Sequence, residues 1–214
     1  MMAMLVLGGL NAAAWASMST VVVGDQMKIG GYSDRNLAGP FTAKAAGTST
    51  FDPFQTFCAE LEETINPDNR TVYTVEGVGL TNSSDKSISP MTSWLYTNYL
   101  SQTGREFSNA NNMQYAIWRS MGYSSDEIIN ELYGEISKKQ AKAYENAYTD
   151  FSNLYSTSGW SGYGNVCVLT LVTASGKGVQ DMLGMTITPV PEPVSILFIG
   201  ASLGLWYYNR RRLA

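Results

Sequence analysis

The stretch "NNMQYAIWRS", residues 111–120, puts a carboxamide where an apolar side chain would be ordinary. Read as a helix, it sets Gln114 on one face with Ile117 and Trp118, at i+3 and i+4. An amide buried on such a face must satisfy both a donor and an acceptor, so Gln114 requires a partner elsewhere in the chain. The other residues with distinctive chemistry are Cys58 and Cys167, the only two cysteines. The chain holds no histidine. That excludes Ser-His-Asp and Cys-His catalysis and any His-ligated zinc within this chain. Two cysteines without a CxxC pair cannot build a structural zinc cluster either, and no metal or cofactor is expected. By counting alone, a Cys58–Cys167 disulfide is the default for an exported chain. Alternation in "NVCVL" sets Cys167 on one face with Asn165 and Leu169, which leaves open whether that face meets Cys58.

The carboxylates are less distinctive. Glu60, Glu62 and Glu63 fall in "FCAELEET" and read as a solvated strand edge. Glu60 with Glu76 is the available pair for an exported two-carboxylate hydrolase. Asp68 in "NPDNRT" offers oxygens to calcium, but the composition reads more simply as a polar turn.

These residues need elements to hold them. The chain has 214 residues, 44% of them hydrophobic and 15% charged, which suits a folded domain with short end segments. "TVVVGDQMKIGGYS" reads as a first strand and turn. "FDPFQTFCAELEET" reads as a strand with Phe57 and Ala59 opposite Cys58. "RTVYTVEGVG" alternates Tyr73 and Val75 against Val72, Thr74 and Glu76, a further strand. "NVCVLTLVTASGKGVQDMLGMTI" reads as two strands joined by a tight turn at residues 174–178. Between these lie helices. Pro90 opens one that carries Trp94, Leu95 and Tyr99 and stops at Gly104. Ser108 or Asn109 caps a second, the Gln114 helix. Ser124 to Glu127 is a capping-box pattern for a third, longer helix, with a core stripe through Ile129, Leu132, Ile136, Ala143, Ala147, Phe151 and Leu154. Residues 81–90, "TNSSDKSISP", read as a polar loop. Strands, then helices, then strands predict an α+β fold: a β-sandwich interrupted by an inserted helical subdomain.

Both ends read as targeting segments. Residues 1–16 form an apolar run ending in Ala14-Trp15-Ala16, a small-x-small cleavage pattern before Ser17. The basic region expected ahead of it is missing, as when a start is set downstream of the true one. At the other end, Val190-Pro191-Glu192-Pro193 precedes an apolar helix over 194–208, followed by Arg210, Arg211 and Arg212. Trp206, Tyr207 and Tyr208 suit a membrane interface, and the arginines suit its cytoplasmic side. The expected organisation is a signal peptide over 1–16, an exported domain over 17–188 and a sorting tail over 189–214. This tail resembles the PEP-CTERM sorting signal: a Pro-Glu-Pro motif, one membrane helix and a basic end. The resemblance implies an exosortase as partner, transient anchoring in the inner membrane of a Gram-negative, exopolysaccharide-producing bacterium, and release to the cell surface or matrix. The same kind of tail has carried the label of an ice-binding protein C-terminal domain. Ice binding itself would call for regular threonine ladders, which this sequence lacks.

A second resemblance addresses Gln114. Phe57-Cys58-Ala59 and Met113-Gln114-Tyr115-Ala116-Ile117-Trp118 resemble the paired motifs of bacterial thioester domains, found in surface adhesins. It implies that the Cys58 sulfur attacks the Gln114 carboxamide and expels ammonia. The product is an internal thioester able to acylate an amine on a target. Phe57, Tyr115 and Trp118 would shield that bond from water. Prealignment makes the step intramolecular, worth roughly 7–11 kcal/mol of the barrier, and donors at the amide oxygen would stabilise the oxyanion. A thioester and a Cys58–Cys167 disulfide exclude each other.

The functional expectation is therefore a noncatalytic surface or matrix protein associated with exopolysaccharide or biofilm; the residues leave open whether Cys58 and Gln114 form an adhesive thioester or are a buried thiol and a satisfied core amide. An inert disulfide-bonded structural or carbohydrate-binding module is the alternative. A net charge of −4 and the lack of a basic stripe before the C-terminus argue against nucleic acid as a partner.

Overall fold

The computed structural model describes residues 20–31, 40–101, 109–132 and 136–186. The signal segment over 1–16, the motif Val190 to Pro193, the helix over 194–208 and Arg210 to Arg212 lie outside the described residues. Among the described residues no helix is long and apolar enough to cross a membrane.

Alternation works where it was read. In β4 (Val72–Gly79), Tyr73 and Val75 are buried while Glu76 is exposed. The predicted hairpin is β5 (Val166–Thr173) and β6 (Gly178–Met185). Gly184 is needed there: a Cβ at this position would lie 2.6 Å from the Leu169 side chain on the neighbouring strand. β1 (Gln26–Gly30) follows the turn that the first apolar run enters, and β2 (Phe41–Ala46) completes a hairpin with it. β3 is short, Phe54–Thr56.

The fold is α+β, as expected, but the strands form one antiparallel sheet, in the order β3-β2-β1-β4-β5-β6, rather than two stacked sheets. The reason lies in the segment after Thr56. Thr56 pairs with Phe41 of β2. The chain then leaves β2 and runs along β6: the Leu183 N–H donates to Phe57 O (2.9 Å) and the Ala59 N–H donates to Asp181 O (2.8 Å). One continuous stretch, residues 54–59, thus touches both outer edges of the sheet and closes it on itself. Closure removes the unpaired edges that an open sheet leaves exposed.

All four described helices fall between β4 and β5 in the chain, so the helical part is an insertion. α1 (Pro90–Ser101) starts where Pro90 predicted; Ser89 and Thr92 exchange side-chain-to-backbone hydrogen bonds across its first turn. α2 (Ala110–Ser120) is capped by Asn109, whose side chain accepts from the Asn112 N–H. The predicted third helix divides. α3 (Ser125–Glu131) carries the expected capping box, and α4 (Lys138–Thr157) starts afresh at a second one, Ser137 with Gln140. The restart rotates the buried stripe. Ile128, Ala141, Tyr144 and Phe151 are buried, whereas Leu154 is 41% exposed. Replacing Ser137 by alanine removes the acceptor for the Gln140 N–H, so we expect a loss of about 0.5–2 kcal/mol, measured by urea unfolding.

Candidate functional site

The site is built on residues 57–60. Cys58 lies opposite Met182 of β6 in a pair that exchanges no hydrogen bonds, because Phe57 O and the Ala59 N–H make the bonds on that side. The N–H and C=O of Cys58 therefore point the other way, towards α2. There the Gln114 carboxamide meets both. Its Oε1 accepts from the Cys58 N–H (2.9 Å), and its Nε2 donates to Cys58 O (2.8 Å). Gln114 is fully buried and Cys58 is 1% exposed. The carboxamide thus takes the place of the peptide group that a further strand would have supplied.

Trp118 makes the next contact. Its indole N–H donates to Glu60 O (3.2 Å), and the Gln180 side-chain amide donates to the same oxygen. Gln114 and Trp118 are four residues apart on a helix, a rise of about 6 Å. Cys58 and Glu60 flank a bend at Ala59. Through Gln114 and Trp118, α2 thus holds alternate residues of this segment.

The three predicted shielding residues are all buried. Phe57 is fully buried, edge-on to Tyr96 (centroids 6.4 Å apart) and Tyr99 (4.8 Å). Trp118 is also buried. Tyr115 is buried but directed at α3 and α4: its ring stacks on Tyr144 at 5.6 Å, and its hydroxyl bonds Ser125 and Glu145. Arg119 pairs with Glu145 at 3.2 Å. One residue along a helix turns the side chain by about 100°, which takes Tyr115 off the face that Gln114 occupies.

The two cysteines are not bridged to each other in this structure, in contrast to the alternative of a Cys58–Cys167 disulfide. Cys167 sits in β5 opposite Gly184, and Cys58 lies beyond β6 on that strand's far side. Two strand spacings of about 4.8 Å put their backbones beyond the reach of a disulfide. Burial, then the nearby Glu60 carboxylate, pushes the Cys58 thiol far above its usual pKa. Burial likewise pushes Cys167 up to about 12. The Cys58 N–H already donates to the oxygen that would become an oxyanion if the carboxamide carbon were attacked.

The carboxylates differ from the sequence reading. Glu60 is not on a solvated edge; it is 1% exposed, while Glu62, Glu63 and Glu76 are exposed. Its neighbour is Asp181 of β6, which is fully buried. A register shift between Leu169 and Leu171 opens the ladder opposite Gln180 and Asp181. The 81–90 loop docks on this pair. The Ser84 hydroxyl donates to Glu60 Oε1 (2.5 Å), while the Ser83 N–H and hydroxyl donate to Asp181 Oδ2 (2.7 and 2.9 Å). Asn82 braces the loop through Nδ2, which donates to Ala59 O (2.7 Å) and the Tyr123 hydroxyl (3.0 Å). A charged residue in the middle of the apolar strand "VQDMLGM" was the available signal for Asp181. Asp68 is a turn residue: its Oδ1 accepts from the Arg70 and Thr71 N–H groups (2.8 and 2.9 Å), which hold its carboxyl below the usual range.

Comparison of the chain with family models, curated proteins and solved structures finds no match. The functional reading accordingly rests on this geometry and on the motifs.

Proposed function

We propose that this chain is an exported, noncatalytic surface or matrix protein whose adhesive chemistry is an internal thioester between Cys58 and Gln114. The observation that supports this is the docking of the Gln114 carboxamide on the Cys58 backbone, oxygen held by the Cys58 N–H. In the forming step the Cys58 sulfur bonds to the Gln114 carbonyl carbon and the carbon–nitrogen bond breaks. The thiol proton leaves with the nitrogen as ammonia. In the adhesive step an amine on the target attacks that carbon, an amide forms and the thiol is regenerated. Phe57 and Trp118 would keep water from the bond in between. The tail motif around Pro191 to Pro193 supports export, exosortase processing and an exopolysaccharide-bearing surface as the setting.

The bidentate geometry also favours a second reading, in which Gln114 is only the cap of an open backbone edge and the domain is an inert scaffold. Intact mass separates the two. A thioester makes the protein lighter by one ammonia; methylamine treatment then restores a free thiol and leaves a methylamide at Gln114. An unmodified mass with two titratable thiols would leave the scaffold reading.

A further inference from the structure

Glu60 and Asp181 are two carboxylates that the thioester reading does not use. Each has one oxygen anchored by the 81–90 loop, and the other, Glu60 Oε2 and Asp181 Oδ1, is buried without a hydrogen-bond partner. Among the described residues the cations nearby are engaged elsewhere: Lys86 with Glu127 and the Tyr123 ring, Arg119 with Glu145. Two desolvated like charges with no counter-charge cannot persist; they take up a proton or a cation. The anchoring donors decide between these. Ser83 N–H, Ser83 O–H and Ser84 O–H all point at carboxylate oxygens. Such a donor set is suited to anions.

We propose that Glu60 and Asp181 form a binding site for a hard divalent cation, calcium by preference, closed by the 81–90 loop. The orphaned oxygens supply the charge, and the Ser83 and Ser84 hydroxyls can turn their lone pairs inward. No group of three or more His, Cys, Asp and Glu side chains is placed to hold a metal among the described residues. The remaining ligands are therefore hydroxyl, carbonyl and water oxygens, a set that suits calcium or magnesium and not zinc or copper. The site is independent of whether Cys58 and Gln114 react.

The test uses the purified full chain, stripped of metal with a chelator. Calcium at a hundredfold excess over its Kd should raise Tm at pH 7 by about 5–10 °C. Terbium(III) should luminesce through the nearby Tyr123 or Trp118 and be displaced by calcium. Asp181→Asn or Glu60→Gln should abolish both responses and leave the intact mass at Cys58 and Gln114 as in the parent. No luminescence and no Tm shift in the parent chain overturns the site. A variant that binds like the parent also overturns it. If neither variant folds, the parent's terbium and Tm series decide alone.

Discussion

Replacing Gln114 by alanine is expected to destabilise the domain by about 2–6 kcal/mol, a large share of the 5–15 kcal/mol that holds a typical domain together. The Cys58 N–H and C=O would both be left in a dry interior, and each orphaned group costs about 1–3 kcal/mol. Gln114→Glu makes a sharper test. A glutamate still accepts from the Cys58 N–H, but when ionised it cannot donate to Cys58 O, and its charge is buried. Once protonated, its O–H restores the missing donor. Its carboxyl should therefore be raised in the folded state, with stability full at acid pH and lost as pH rises through that value. Equilibrium urea unfolding between acid and neutral pH reads this directly. A flat pH profile would mean that the carboxamide is not held as described.

Cys58→Ala is the matching control. The Cys58 backbone stays paired with Gln114, so a free thiol at this position should be worth only about 1 kcal/mol, the scale of one small buried group. A thioester changes the magnitude. Closing a loop of this length contributes on the order of 4 kcal/mol, by the reasoning used for a disulfide. The stability lost on removing the sulfur thus reports whether the bond was there, independently of mass.

The residues whose setting was legible in the sequence are those whose surroundings are local. Tyr73 and Val75 alternate along β4, Pro90 and Asn109 mark helix starts, and the turn at 174–178 joins two strands. Each signal lies within a few residues of what it specifies. β2, "FTAKAA", was silent because small residues alternate weakly. The split between α3 and α4 was present as Ser137-x-x-Gln140 but lay beneath a continuous apolar stripe. The closure of the sheet was not legible at all. It depends on residues 57–59 pairing with β6, more than a hundred positions away, and alternation names a face without naming what covers it. Glu60 was misread for the same reason. Flanked by Glu62 and Glu63 it looks solvated, and only the approach of Asp181 and the 81–90 loop buries it. Gln114 was the exception among long-range features. Its polarity on an apolar face announced a partner before the partner was in view.

Trp118→Ala is the second change with a large expected effect. The indole is 2% exposed and stands one helical turn beyond Gln114, over the segment that runs from Cys58 to Glu60. Truncating a buried tryptophan costs about 3–5 kcal/mol through lost contact and the cavity left behind. The lost hydrogen bond adds little, because Glu60 O keeps its bond from Gln180. Trp118→Phe, which preserves most of the buried area, should therefore cost no more than about 1 kcal/mol. The pair also tests the shielding role. If the Cys58–Gln114 thioester forms, Trp118→Ala should shorten its lifetime in water, read as the decay over time of the species lighter by one ammonia, while Trp118→Phe should not. Tyr115→Phe provides the contrast. It removes the hydroxyl bonded to Ser125 and Glu145, so it should lower stability without changing that decay, because the ring lies on Tyr144 and not over the carboxamide. Equal decay in the Trp118→Ala variant and the parent would remove Trp118 from the shield and leave Phe57, packed on Tyr96 and Tyr99, as its aromatic cover.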